Sequence, residues 1–454
     1  MGRYETLFWL ADGWGASRRD RQSGAYHPFV PDKLADRAFA LPAATAGAVA
    51  QAQADIATLN TYGAHLSDTE PLARLILRSE ALGSSRIEGL ELGAQRLLER
   101  EALEELGVKV RIDSTEATVL NNISALQEGI EEAAREPLDV PMICSMNRRL
   151  LADTPLAAYG GILRDRLNWI GGGSASPVGA SYVPPRPELV ADALEDLVRF
   201  VNSSPLPPVA IAAIAHAQFE TIHPFVDGNG RTGRALVHAA LQRGLGRPAI
   251  MPPVSLVMAA DRPGYLHALE AYRHDDEDAA SDLDRCTNDW IEYFSCAVSE
   301  ACNRALQFEE TLRALEQQWR AEVRPRANSA ADVLLGKLAC NPVLSISSAA
   351  RLTGRSAEAA RKALAQLVAA GVLTQNARNR KSNLYVATEA VDAFTRYERA
   401  LATKSGTRAS KSPSAPSRSV PDGADAPQRM RDATHRCEQG VRERNEILRL
   451  ENDG

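Results

Sequence analysis

Residues 223–234 read His-Pro-Phe-Val-Asp-Gly-Asn-Gly-Arg-Thr-Gly-Arg, directly after one apolar helical window and directly before another. Gly228 and Gly230 flank Asn229; both allow positive backbone φ and present no side chain, so successive N–H groups can converge on an anion. A helix beginning near Arg231 adds the positive end of its dipole, and Arg231 and Arg234 fall on neighbouring faces of its first turns. Cations at a helix N-terminus oppose the dipole, and a bound anion resolves that conflict. This is the chemistry of a phosphate site. Asp227 beside it suits a divalent cation that bridges phosphate oxygens. His223 is the side chain whose ordinary pKa fits it to take a proton near neutral pH. A Gly-Asn-Gly run alone would mean no more than a turn between helices; the whole stretch supplies a base, a metal ligand and a polyphosphate cradle.

Holding these groups requires helices on both sides of a tight turn, and the composition favours helices. The chain has 454 residues, 44% hydrophobic, 24% charged and only 5% aromatic, which is globular and long enough for several domains. Abundant Ala and Leu favour helix over sheet because they lose little rotamer freedom there. Residues 1 to about 40, with Trp9, Trp14 and Tyr26 among Gly and Pro, read as an irregular arm pinned by aromatics. Apolar periodicity predicts two or three helices over 41–107, two over 113–152, and further helical segments at 188–202, 207–222, 231–244 and 262–320. Between them, 158–187 crowds Gly and Pro around short apolar runs and reads as a β-hairpin or an ordered loop. After Arg324-Pro325-Arg326 come three short helical windows, 329–340, 347–354 and 356–370, with Ser347 and Ser356 at N-cap positions, then a strand-like stretch at 383–386. That order fits a winged helix-turn-helix. Ser, Pro and Ala dominate 404–428, which predicts a disordered tail with a charged terminal helix over 437–451.

Charge and cysteines exclude other classes. Lys plus Arg total 52 against 58 Asp plus Glu, a net charge of -6, so this is no basic nucleic-acid coat and any such role is local. The six cysteines show no close CxxC pairing and no nearby histidine at metal-ligand spacing, so neither a disulfide framework nor a zinc pattern is indicated, which points to a reducing compartment. No stretch reaches the roughly 18 apolar residues of a membrane span and no leader pattern opens the chain. The expectation is a soluble, cytoplasmic protein with no membrane partner.

The stretch 223–234 resembles the signature of the Fic family, HxFx(D/E)GNGRxxR, and meets every defining position. The resemblance implies an all-α fold: a Fic/Doc helical core with a small β-hairpin flap, an N-terminal helical extension and a C-terminal winged helix-turn-helix. The implied boundaries are 1–112 for the N-terminal arm and helical region, 113–323 for the catalytic core, 324–403 for the winged-helix-like domain and 404–454 for the tail. It implies transfer of AMP from ATP, with Mg²⁺, to a Ser, Thr or Tyr hydroxyl of a target protein, releasing pyrophosphate. His223 would be the general base and Asp227 the Mg²⁺ ligand. Gly228, Asn229 and Gly230 would hold the α- and β-phosphates, Arg231 would stabilise developing charge, and Arg234 would meet the γ-phosphate. The His-Pro-Phe at 27–29 lacks the rest of the signature and is no second site.

Residues 84–89, Ser-Ser-Arg-Ile-Glu-Gly, resemble the family's inhibitory motif (S/T)xxxE(G/N), with Ser84, Glu88 and Gly89 in register. By that resemblance Glu88 would pair bidentately with Arg234 and exclude the γ-phosphate, so the protein would be autoinhibited; self-modification and removal of AMP belong to the same expectation. The segment from Arg164 to Pro185 resembles the flap, with Ile170 and Gly171 as target-docking positions. Tyr265, Tyr272 and Trp290 fall in windows used around the adenine pocket, and each reads first as core. Arg361, Lys362, Arg378, Arg380 and Lys381 could bring DNA to 325–400, although Glu358 shares their helix. Similar chains imply a homodimer. A competing reading is a DNA-binding regulator of a bacterial stress or toxin system whose core senses nucleotide, and transfer of another nucleotide or of phosphocholine also fits the signature.

Overall fold

The computed structural model describes residues 2–11, 17–62, 69–108, 113–273, 280–376 and 384–402. The chain is mostly helical, and the helices that matter to 223–234 sit at its centre. At the N-terminus, β1 (Gly2–Tyr4) pairs antiparallel with β4 (Phe29–Pro31), and β2 (Leu7–Trp9) with β3 (Gly24–Tyr26). The arm is therefore two short ladders rather than irregular chain: pairing satisfies its backbone, while Trp9, Tyr26 and Trp169 pack edge to face. Phe29, from the misleading His-Pro-Phe, is fully buried and donates its N–H to the Val183 carbonyl at 2.9 Å.

Three helices follow, α1 (Ala43–Tyr62), α2 (Thr69–Ile87) and α3 (Ala94–Glu105). Asp113 and Glu116 form a capping box that starts α4 (Ser114–Ala133), and Asp139 caps α5 (Val140–Leu151), with Pro141 in its first turn where a missing N–H costs nothing. The central helices are α6 (Val190–Ser203), α7 (Pro208–Ile222) and α8 (Asn229–Gly244), the last two buried nearly all round. Beyond them lie α9 (Val254–Ala260), which the sequence reading did not anticipate, and α10 (Arg262–Tyr272). Then α11 (Ala280–Val323) runs 44 residues, roughly 66 Å at 1.5 Å per residue, packing on α1 and α7 along its course and on the C-terminal elements beyond.

The C-terminal module comprises α12 (Ala330–Leu338), β5 (Val343–Leu344), α13 (Ile346–Thr353), α14 (Ala357–Ala369), β6 (Thr374–Asn376), β7 (Leu384–Val386) and α15 (Thr388–Ala402). Its antiparallel sheet has the order β5-β7-β6. Ser345, not Ser347, caps α13: its hydroxyl accepts the Ser348 N–H, because β5 ends at Leu344 and the helix begins one residue after the cap. Ser356 caps α14 as expected. The sequence reading did not mark α15. The tail at 404–454 with its helix at 437–451, Trp14, and the wing residues Arg378, Arg380 and Lys381 lie outside the described residues. No described helix is long and apolar enough to cross a membrane.

Candidate active site

The site is the turn between α7 and α8. His223 ends α7 in the left-handed region, φ 50° and ψ 60°, a conformation that costs a non-glycine residue about 1–3 kcal/mol. Gly228, at φ 79°, is the residue before α8, which begins at Asn229 rather than near Arg231. A helix C-terminus leaves carbonyls without partners, and here each is taken up by a side chain. Arg273 reaches the carbonyl of Glu220 at 3.4 Å, the Tyr182 hydroxyl that of Thr221 at 2.6 Å, and Arg164 those of Ile222 at 3.3 Å and His223 at 2.9 Å. Asn229 turns back on Phe225, accepting its N–H and donating to its carbonyl, both at 2.8 Å. Asn147 of α5 donates to the Asp227 carbonyl at 3.0 Å.

Arg234 lies one turn into α8 with its side chain 3% exposed. Its Nε donates to Ser84 Oγ and its Nη2 to the Ser84 carbonyl, both at 2.9 Å, and Nη2 also donates to Glu88 Oε1 at 2.7 Å. The expected pairing is thus present through one carboxylate oxygen, not bidentate, because Ser84 occupies the Nε edge of the guanidinium. Gly230 has helical φ, so its lack of a side chain serves close approach instead: a Cβ there would collide with Glu88 Oε1 and the Arg234 guanidinium. Gly89 follows at the turn that ends α2.

Residues 137–241 match the Fic/DOC family, and residues 46–131 match the Fic/DOC family N-terminal region. The chain carries a Fic/DOC domain. The protein adenylyltransferases Fic of Drosophila sechellia and Drosophila melanogaster are each 33% identical over 162 residues, 35% of this chain and 30% of each relative's length. A solved Fic family protein from Desulfovibrio desulfuricans superposes with a TM-score of 0.48 at 19% identity, over 77% of this chain and 97% of that one.

Around this turn, burial sets the charge states. Burial, then the cations of Arg164 and Arg273, push the His223 imidazole down to about 3, against the opposing pull of Glu88, so the ring is neutral and able to accept a proton at ordinary pH. For Glu88, burial works to raise the pKa but the guanidiniums of Arg234 and Arg231 hold the carboxyl below its usual range. Glu220, buried on α7 beside Arg234, is pushed up to about 7 by burial, with Glu88 adding to the rise. Asp227, 18% exposed, places Oδ2 at 3.8 Å from Arg231 Nη2. No group of three or more metal-binding side chains gathers among the described residues. The partly exposed Asp227 carboxylate beside the start of α8 is nevertheless of a kind that fits Mg²⁺, which binds through one or two carboxylates.

The segment 158–187 is an ordered loop with one internal bridge, Ile170 to Tyr182, and with bridges to its surroundings from Leu163 to Phe225 and from Val183 to Pro28. Ile170 donates its N–H to the Tyr182 carbonyl at 2.9 Å and accepts from Ser181 at 2.8 Å; Gly171 packs beside the Ser181 side chain. Asp20 of the arm accepts hydrogen bonds from the Ser174 hydroxyl and the Ala175 N–H at the loop tip. Tyr265, Tyr272 and Trp290 are all buried core residues, as first read, with the Tyr265 hydroxyl 2.8 Å from His216 Nε2.

Sequence reasoning missed Arg164, Asn147, Glu220 and a second tie between α2 and α8. There Glu80 Oε1 lies 3.0 Å from His238 Nε2, and Glu80 accepts the Ser255 N–H at 2.8 Å. Asn147 had a signal, a polar residue between Met146 and Leu150 on a buried helix face; Glu80 and His238 had one too, at one turn before Ser84 and one turn after Arg234.

Proposed function

We propose that this protein transfers AMP from ATP to a Ser, Thr or Tyr hydroxyl of a target protein, and that Glu88 holds it in check. The observation that carries the reading is the complete signature turn, with a neutral His223, a helix N-terminus opened by Gly228, and Arg234 already bonded to a carboxylate where a phosphate would otherwise sit. His223 takes the proton of the target hydroxyl; the oxygen bonds to the α-phosphorus as the bond to pyrophosphate breaks, and the base contributes about 10² to 10⁴ in rate. Backbone N–H groups of 228–230 and Arg231 face the α- and β-phosphates, and Arg234 takes the γ-phosphate and fixes the in-line orientation. Asp227 would hold Mg²⁺, which when bound would supply neutralisation of phosphate charge. Occupied by Glu88, Arg234 offers the γ-phosphate a negative charge instead of a partner.

We assign the units as 1–112, 113–323, 324–403 and 404–454, with 330–386 as a winged helix by its order of helices and sheet. No disulfide joins the described cysteines, which suits a reducing cytoplasm. The test uses wild type, Glu88→Gly and Glu88→Gly/His223→Ala with Mg²⁺ and ATP labelled at the α-phosphate. Label appears on the single variant, is at least tenfold weaker on wild type and is lost from the double variant. Equal labelling of wild type and Glu88→Gly removes the brake; no label in any form removes the adenylyl transfer.

A further inference from the structure

Arg164 is 3% exposed and makes no ion pair among the described residues, an unusual position for a cation, because buried charges are ordinarily paired. Its partners are backbone carbonyls instead: His223 at 2.9 Å from Nε, Arg166 at 3.2 Å from Nη1, and Ile222 at 3.3 Å and Pro185 from Nη2. Its own N–H donates to the Pro224 carbonyl at 3.0 Å. One residue therefore engages three successive carbonyls, 222, 223 and 224, around the left-handed His223, and ties them to both ends of the flap loop. The guanidinium also lies at the negative end of the α7 dipole, where a cation is favoured.

We propose that Arg164 is the positioning residue for His223, locking the strained turn that presents the imidazole. The proposal rests on the adenylyl-transfer reading for its catalytic consequence but not for its structural one. A planar fork is required, since a lysine ammonium is a point charge that cannot span carbonyls on two segments. The charged groups facing His223 are Arg164, Arg273 and Glu88, with the Glu220 carbonyl alongside. Removing the Arg164 charge therefore makes protonation of the ring easier, and removing the fork alone leaves the charge but frees the turn.

The experiment compares Arg164→Met and Arg164→Lys in the full chain. Imidazole NMR, with the His223 signal assigned by its loss in His223→Ala, needs no nucleotide and stands even if no AMP transfer is found. Wild-type His223 shows no titration above pH 4.5, whereas Arg164→Met brings its midpoint into the range 4.5–6.5. In the Glu88→Gly background, kcat for AMP transfer falls about 10- to 100-fold in both variants while KM for ATP changes less than about threefold. Should Arg164→Met fail to fold, the Lys variant carries the comparison: a loss of kcat with KM held supports positioning. A Lys variant with the parental kcat, or a Met variant whose His223 titration does not move, overturns the proposal.

Discussion

Two arginine–glutamate pairs in this protein have nearly the same geometry and opposite meaning. Arg234 and Glu88 meet at 2.7 Å, and Arg361 and Glu358 at 2.8 Å. The first joins helices far apart in sequence, with the Arg234 side chain 3% exposed; the second lies within one turn of α14, with both side chains about 60% exposed. Coulomb attraction at equal distance grows as the surroundings lose water. What breaking the pair leaves behind differs still more, an uncompensated buried charge in one case and a hydrated one in the other. A carboxylate can act as a switch only in the first setting, because only there does its removal change what the arginine is able to bind.

The largest effect should come from Arg234→Ala. It removes three hydrogen bonds and leaves Ser84 Oγ, on a fully buried residue, without the guanidinium. Breaking a buried pair costs about 3–5 kcal/mol, and about 3 is expected here because the Glu88 side chain is still 34% exposed. Urea unfolding reads it directly. A loss below 1 kcal/mol would put the Arg234 pair in the same class as the surface pair and erase the contrast.

Next in size is a pH effect beside the same arginine. Glu220 is raised from 4.5 to about 7, first by burial, so between those values the folded chain keeps a proton that the unfolded chain has released. The stability it contributes is complete below pH 4.5 and is lost as pH rises through 7, on the order of 2–3 kcal/mol. Glu398 on α15, raised to about 8 by burial, works in an overlapping window. The measurement is therefore the difference between wild type and Glu220→Gln in urea midpoints from pH 4.5 to 8. That difference should grow in favour of the glutamine variant as pH rises; a flat difference would place Glu220 in water rather than beside the buried pair.

The same contrast explains what was legible in the sequence. The stretches 223–234 and 84–89 name the groups that meet at the turn between α7 and α8, and helix periodicity located nearly all the elements that carry them. Invisible were the contacts made to backbone. Arg164 binds carbonyls, which every residue possesses, so no partner type or spacing announces it. Whether Glu88 meets Arg234 through one oxygen or two depends on which edge of the guanidinium Ser84 takes. The three-residue ladders of the arm are too short to show a period of two, and among Ser345, Ser347 and Ser348 only the end of β5 selects the cap.

The smallest structural effect, and the one that tests the exposed side of the comparison, is Glu358→Ala. Glu358 pairs with Arg361 at 2.8 Å and with Lys362 at 3.8 Å, all three on the open face of α14. Such surface pairs contribute about 0.5 kcal/mol or less, so urea midpoints should barely move. The two cations lose their shared counter-charge, however, and a helix that docks on duplex DNA should then bind more tightly at low salt. The slope of log affinity against log salt should steepen by up to about one per added phosphate contact. Affinity and slope that match wild type would mean that α14 does not face phosphate; the C-terminal module would then act by docking protein, and the exposed pair would be only a solvated turn of helix.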